Sequence, residues 1–436
     1  MKPASGGALA PELAEELVLH ALAWLVAGCA VGMLLAALLA APQANTLLAP
    51  LTYGRWAPVH LDLLLYGWSA LPLVGLLLQL YLPGRPGLGA GRMALAAWSG
   101  ALGAGALALL AGGSSGKLFL DWSGPVKILW LAALTLLWCL LAGGFGRALA
   151  ARRPGADGGS AAASSPARLT LQGVLLLLLA AGPWALALAL EPRNYPPIDP
   201  STGGPTGTDL AASTLAILPL FLALPVLLGL QRRPGAPRPL YLWALFALHA
   251  AALPFFGLGD QSHRSPLQIA AIASVLIWPL PLARHLLGHE WPAGSARWLT
   301  ALGAWGALLA TSALVTYLPG VLDAVKFTHA LVGHAHLAMA GFVTSFAALT
   351  LHVLLRDSDA RSTFSRLRPF VLWQGGTALH IVAMVTLGLL EAGDPGRLLR
   401  PDAGVTTLFA VRGAAGLAML LAATSWFRHA VQRSAA

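Results

Sequence analysis

The sequence predicts an all-α, polytopic membrane protein. Its 436 residues are 57% hydrophobic and only 10% charged, a composition that is typical of lipid-embedded chains and not of water-soluble domains. Apolar stretches of about 20 residues or more recur along the whole chain, and this is the length that a helix needs to cross the hydrocarbon core of a bilayer. Twelve such stretches predict twelve transmembrane helices in a single membrane domain over residues 1–436.

The predicted spans follow one another with short connections. The first apolar run is followed by further spans, so we interpret it as a helix that stays in the membrane and not as a cleaved signal. In chain order, the predicted spans are 16–41, 58–82, 92–112, 124–145, 168–190, 208–231, 239–258, 266–288, 297–318, 328–355, 369–391 and 404–427.

Basic residues set the predicted orientation. If both termini are cytoplasmic, 18 of the 27 lysines and arginines fall in the inner loops and tails, 8 fall in the outer loops, and Arg412 lies within a span. This asymmetry follows the positive-inside rule and predicts that both termini are cytoplasmic. The net charge of +10 is therefore a topology signal, and without a basic soluble face it does not indicate binding to nucleic acid.

Three histidines lie inside predicted spans at a similar depth. His334 and His336 form a His-x-His in the first two turns of the tenth span, and His60 lies near the start of the second span, which runs in the same direction. Helical residues turn by about 100° each, so the two rings of the pair point about 200° apart and cannot easily bind one ion.

A histidine pair of this kind can hold two planar cofactors, one on each side of a helix. An imidazole within a membrane span is costly and usually functional, and its nitrogen is a common axial ligand of heme iron. The alternative is that all three histidines are polar packing residues, hydrogen-bonded between helices. The sequence contains no Cys-x-x-Cys-His, so we expect no covalently attached c-type heme.

Four segments resemble the catalytic subunit of the heme-copper oxidases. Segments 53–60 (YGRWAPVH) and 326–336 (KFTHALVGHAH) resemble the second and tenth helices of that superfamily, most like those of the C-family oxidases and the nitric oxide reductases. Segments 116–122 (GKLFLDW) and 409–413 (FAVRG) resemble the loop before its fourth helix and the start of its last helix. Twelve spans with both termini inside is also the architecture of that family.

The resemblance implies a set of cofactors and partners. His60 and His336 would be the axial ligands of a low-spin heme, His334 would bind a high-spin heme, and Arg412 and Arg55 would pair with heme propionates. The family implies two b-type hemes towards the outer side of a bacterial-type cytoplasmic membrane. Its partners would be membrane lipid and further respiratory subunits, with cytochrome c or a quinol-linked protein as the electron donor.

The sequence departs from the family at the copper site. The family binds copper through one histidine of the sixth helix and two adjacent histidines of the seventh. Here Thr208, Phe255 and Phe256 stand at those positions, and His249 stands where the C-family has its active-site tyrosine. Phenylalanine cannot bind copper and threonine is a poor ligand, so we expect copper to be absent and the two phenylalanines to fill its space.

Three classes of function remain open. The first is a respiratory subunit that moves electrons through a low-spin and a high-spin heme. The second is a divergent terminal oxidase or nitric oxide reductase with a non-standard metal site, for which His249, His263 and His329 are the remaining candidate ligands. The third is a non-catalytic heme sensor or assembly subunit. Whether the chain is an oxidoreductase depends on which class applies.

Overall fold

The structure is a computed structural model that describes residues 8–117, 121–151, 166–191, 194, 207–257, 262–399 and 402–434. Helices dominate these residues, which contain no named β-strand and only two isolated β-bridges. Within the same residues, eleven helices are long and apolar enough to cross a membrane. The chain is therefore an all-α, multi-pass membrane protein, as predicted.

The membrane helices are numbered here in chain order, together with one shorter apolar helix, α7. They are α1 Pro11–Ala40, α2 Tyr53–Tyr81, α3 Arg85–Leu110, α4 Pro125–Ala150, α5 Leu169–Leu190, α6 Gly207–Leu227, α7 Leu240–Phe256, α8 Pro266–Leu287, α9 Ser295–Thr316, α10 His329–Leu354, α11 Asp359–Gly393 and α12 Ala403–Ser434. The helix α7 consists of an α-helical part that ends at Ala252 and a 3-10 turn, Leu253–Phe256, that contains Pro254.

The helices divide into two compact units. The first comprises Met1–Pro197, Thr350–Thr363 and Ala423–Ala436, and the second comprises Ile198–Leu349 and Phe364–Ala422. The first unit therefore contains α1 to α5. The second contains α6 to α9 and most of α10, α11 and α12.

In the first unit, polar side chains on one face of α1 pair with α3. Glu16 binds Arg92, with Nε donating to Oε1 at 2.7 Å. One turn further along α1, His20 Nδ1 lies 2.7 Å from Ser99 Oγ, and Trp24 Nε1 donates to the same oxygen at 3.1 Å. Positions four apart share a helix face, so these contacts satisfy polar groups between two membrane helices.

Aromatic side chains form much of the packing in both units. In the first unit, the ring centroid of Trp130 lies 4.6 Å from that of Trp122 and 5.0 Å from that of Trp98. In the second unit, the Phe221 ring of α6 lies 5.2 Å from the Phe346 ring of α10. These contacts join α3 to α4 and α6 to α10, and lipid supplies no hydrophobic drive for such helix association.

Two membrane helices pass from α to π geometry. In α2, the α-helix Tyr53–Asp62 leads into the π-helical turn Leu63–Ser69. In α10, the α-helix His329–His336 leads into the π-helical turn Leu337–Val343. Such turns are rare and often occur at functional sites. In both helices the π turn directly follows the segment that carries a candidate heme ligand.

Candidate functional site

His60 belongs to the first unit and lies in the last α-helical turn of α2 before its π turn. Its Nδ1 lies 2.8 Å from the carbonyl oxygen of Gly28 on α1. Gly32, one turn further along α1, gives the ring its space, because a Cβ there would lie 2.7 Å from His60 Cε1. Since the carbonyl can only accept, Nδ1 carries the proton and Nε2 is the basic nitrogen, which is how proteins orient a metal-binding imidazole.

Arg55 lies on the same helix, one turn before His60. Its Nη1 donates to the carbonyl oxygen of Leu110, at the carboxyl end of α3, at 2.9 Å. A Cβ on Gly112, which has φ of +102°, would overlap the guanidinium group, so glycine allows this close approach. The guanidinium has five N–H donors, and one bond to a carbonyl leaves donors for a carboxylate.

The loop that precedes α4 is held by buried charges. Asp121 accepts hydrogen bonds from Ser114 Oγ and from the backbone N–H of Ser115, both at 2.6 Å. Lys117 is also buried, and its Nζ donates to the carbonyl oxygen of Leu190, at the end of α5, at 2.9 Å. Residues 118–120 of this family-like segment lie outside the described residues.

Asp62 is a buried carboxyl within α2 that was not among the predicted site residues. It is 2% exposed, its Oδ2 makes no hydrogen bond to any described residue, and the charge of Asp121 acts on it. An acidic residue inside a span is itself a signal of function or of a special environment.

The substitution Asp62→Asn is expected to stabilise the first unit. The neutral amide keeps the shape of the side chain and cannot ionise, whereas a carboxylate here would be a buried charge acted on by Asp121, so the gain in stability is expected to grow as the pH rises and the wild-type carboxyl ionises. Thermal unfolding in detergent measures the change as a higher midpoint. A lower midpoint would show that the Asp62 carboxylate has a stabilising partner.

His334 and His336 belong to the second unit and turn to different helices. Nδ1 of His334 lies 3.1 Å from Ser312 Oγ on α9. Ser312 Oγ donates to the carbonyl oxygen of Leu309 at 3.1 Å, so it accepts the N–H of His334. The ring of His336 instead lies beside α11, 4.4 Å from the ring of His380 between centroids. The two rings therefore diverge, as the spacing of the pair predicts.

The surroundings of His336 are more polar than an apolar span suggests. Its Nδ1 lies 2.8 Å from the carbonyl oxygen of Val332, which leaves Nε2 as the basic nitrogen. Arg412 of α12 is buried, and its positive charge acts on His336. His380 of α11 was not among the predicted site residues, and only the packing of α10 against α11 brings its ring to His336.

The residues present fit heme as a cofactor. In His60, His334 and His336, a protein oxygen binds Nδ1, and this fixes the tautomer in which Nε2 can bind iron. Arg55 and Arg412 are cations of the kind that pair with the propionates of a heme.

The positions expected of copper ligands are joined by a glutamine of α8. Gln268 is fully buried, and its Oε1 accepts the backbone N–H of Thr208 at 2.8 Å. Its Nε2 donates to Thr208 Oγ1 at 2.8 Å and to the carbonyl oxygen of Phe256 at 3.1 Å. A buried polar bridge between α6, α7 and α8 therefore involves two of the three replaced positions.

The two phenylalanines expected to fill the space of the copper have different surroundings. Its side chain is 82% exposed, whereas Phe256 is half-buried and packs against Ala211 and Ile272 of the neighbouring helices. The residues Leu253–Phe256 form a 3-10 turn, which advances three residues per turn and not 3.6. This change of pitch turns Phe255 away from the interior of the second unit.

His249 has both ring nitrogens in hydrogen bonds. Its Nε2 lies 2.7 Å from Ser274 Oγ, and its Nδ1 accepts from Trp278 Nε1 at 2.9 Å. Ser274 Oγ donates to the carbonyl oxygen of Ala271, so Nε2 is the donor to the serine. A histidine bonded in this way has no lone pair left for a metal.

The other two candidates for a rebuilt metal site have their own partners. His263 Nε2 lies 3.0 Å from Asp323 Oδ1, and a hydrogen bond from Arg264 holds the pKa of that carboxyl below its usual range. His329 Nδ1 lies 2.8 Å from Glu391 Oε2. Across the described part of the chain, no group of three or more His, Cys, Asp or Glu side chains could hold a metal ion.

The sequence was also compared with known proteins. No protein-family model matches it, and no curated protein matches it. The likeness to heme-copper oxidases rests on the segments quoted above.

Proposed function

We propose that this chain is a heme-binding subunit of a membrane respiratory chain, which moves electrons through a low-spin and a high-spin b-type heme without a standard copper centre. The observation that carries the proposal is shared by His60 and His336. Each lies at the end of an α-helix that passes into a π turn, and each donates Nδ1–H to a backbone carbonyl.

The roles of the residues follow the family resemblance. His60 and His336 are the proposed axial ligands of the low-spin heme, and His334, oriented by Ser312, is the proposed ligand of the high-spin heme. Arg55 and Arg412 neutralise propionates. Heme iron would supply one-electron redox chemistry, and the protein holds the imidazoles in one tautomer.

The proposal includes a finer topology. It counts α7 as a twelfth crossing helix and places both termini in the cytoplasm, with the hemes near the outer side of a bacterial-type inner membrane. The basic residues of the inner loops support this orientation. A cytochrome c or a quinol-linked donor, together with other respiratory subunits, would then be the redox partners.

The role of His334 is tested with carbon monoxide. Reduced-minus-oxidised spectra of the purified protein are recorded with and without the gas, for the wild type and for His334→Ala. An open high-spin heme binds carbon monoxide, so we expect a sensitive fraction in the wild type and its loss in the variant, with the insensitive fraction retained. A wild-type protein without reducible heme would contradict the proposed function.

Gly32→Ala is expected to weaken binding of the low-spin heme, although Gly32 is not a proposed ligand of its iron. The new methyl group would meet the ring of His60, which must then leave its hydrogen bond to Gly28. Loss of a group that orients a metal ligand lowers metal affinity by about 10–100-fold. The fraction of heme that the protein retains on dilution measures this loss of affinity. Gly100→Ala on α3 is the control, since a Cβ there meets nothing within 4 Å. If both variants retained heme equally, the orientation of the His60 ring by Gly28 and Gly32 would not contribute to heme binding.

A further inference from the structure

Two loops of the second unit are joined at one end of its helices. The loop between α6 and α7 meets the loop between α8 and α9, where the backbone N–H of Arg233 donates to Gly288 at 2.9 Å and that of Glu290 donates to Gln231 at 2.8 Å. Arg232 and His289 form the antiparallel bridge between them. These backbone hydrogen bonds hold the two loops together, and so they fix where the side chains of both loops begin.

A small pocket lies at this junction, and two histidines are among the residues that line it. Its lining includes Arg232, Tyr241, Arg284, His285 and His289. His289 is 7% exposed, and its Nδ1 donates to the carbonyl oxygen of His285 at 2.9 Å. Its Nε2 makes no hydrogen bond to any described residue. A buried imidazole in the wall of a pocket thus has one nitrogen available for a ligand.

The charge around the pocket is positive and uncompensated. Arg232 and Arg284 are exposed, and neither lies within ion-pair distance of a carboxylate of the described residues. Glu290 follows His289 directly and also makes no ion pair with those residues. The arginines therefore remain available for an anion with several acceptor oxygens, which is what a phosphate group offers.

Exposed apolar side chains directly precede pocket residues along the chain. Leu240 at the start of α7 is 75% exposed, and Leu287 at the end of α8 is 57% exposed. Tyr241, which lines the pocket, is also exposed, and tyrosine is enriched at the membrane–water interface. The site thus combines cations with an apolar surface that acyl chains can cover. Because a free anion has no use for the apolar surface, this combination favours a lipid as the ligand.

We propose that this pocket binds the phosphate of an anionic phospholipid. Arg232 and Arg284 contact the phosphate oxygens, His289 Nε2 adds a polar contact, and the acyl chains lie along Leu240 and Leu287. Basic pockets between membrane helices are known to select such headgroups. The proposal does not depend on heme.

The test measures lipid binding by the full-length protein in detergent. Phosphatidylglycerol is added, and bound lipid is counted by native mass spectrometry against phosphatidylcholine and inorganic phosphate. We expect a preference for phosphatidylglycerol that falls about 30-fold in Arg232→Gln/Arg284→Gln, from the usual contribution of two basic side chains. If that variant does not fold, Arg284→Gln alone is used, with about a fivefold loss expected.

The matched control is Arg147→Gln/Arg428→Gln. It removes the same charge from two exposed arginines outside the pocket and is expected to keep the preference. An equal loss in the control would overturn the proposal, because the effect would then follow net charge. Binding of inorganic phosphate with the same affinity, without preference for the lipid, would also overturn it.

Discussion

Replacing His60 with alanine is expected to remove the low-spin heme and to leave the high-spin heme in place. The same result is expected for His336→Ala, because a low-spin iron requires both axial imidazoles. In both histidines a backbone carbonyl fixes the tautomer in which Nε2 is the nitrogen that would bind iron. Optical spectra of the reduced purified protein measure the two hemes separately.

The control for this experiment is His20→Ala. His20 is a half-buried histidine of the same unit, and its hydrogen bond joins Ser99 on α3. Its loss removes a polar contact between α1 and α3 but no proposed ligand, so both hemes are expected to remain. If His60→Ala retained the low-spin spectrum, His60 would be a packing histidine, which was the alternative open from the sequence.

A second large effect is expected at Gly388. The helices α10 and α11 approach so closely that a Cβ at this position would overlap the backbone nitrogen of Ala330. Backbone cannot move aside as a flexible side chain can, so Gly388→Ala must separate the two helices, at a cost of about 1–3 kcal/mol or more. Ala330 lies one turn before His334, and the same displacement is expected to disturb the candidate ligands.

Gly375→Ala is the matched control for Gly388→Ala. It lies on the same helix, α11, where a Cβ meets nothing within 4 Å. Alanine is a better helix former than glycine by up to about 1 kcal/mol, so this variant is expected to be neutral or stabilised. Thermal unfolding midpoints of the two variants are compared. Equal midpoints would mean that the close approach of α10 and α11 does not limit stability.

The membrane helices could be predicted because lipid imposes length and composition on each of them. The predicted second span is 58–82, and the helix Tyr53–Tyr81 begins five residues earlier and ends one residue earlier. The predicted seventh span, 239–258, also agrees with Leu240–Phe256, but the last four residues of this helix, which include Pro254, form a 3-10 turn. A hydrophobic pattern predicts which segments lie in lipid, but it does not predict whether a turn of the helix has α or 3-10 geometry.

The candidate site was predictable only as a set of residue types. The i, i+2 spacing of His334 and His336 correctly predicts that their rings diverge, because helical geometry alone decides this. The carbonyl of Gly28 and the ring of His380 come from other helices, so nothing in the sequence near His60 or His336 indicates them. The outward turn of Phe255 depends on a change of helical pitch, and for the same reason it could not be predicted.

The central claim is tested most directly by measuring heme, iron and copper in one sample of the purified protein. Heme is quantified and typed by the pyridine hemochrome method, and both metals by elemental analysis. The account predicts two b-type hemes per chain, iron equal to heme, and no copper. Copper at one atom per chain would contradict the reading of Thr208, Phe255 and Phe256 as a replaced copper site, and a protein without heme would contradict the proposed function altogether.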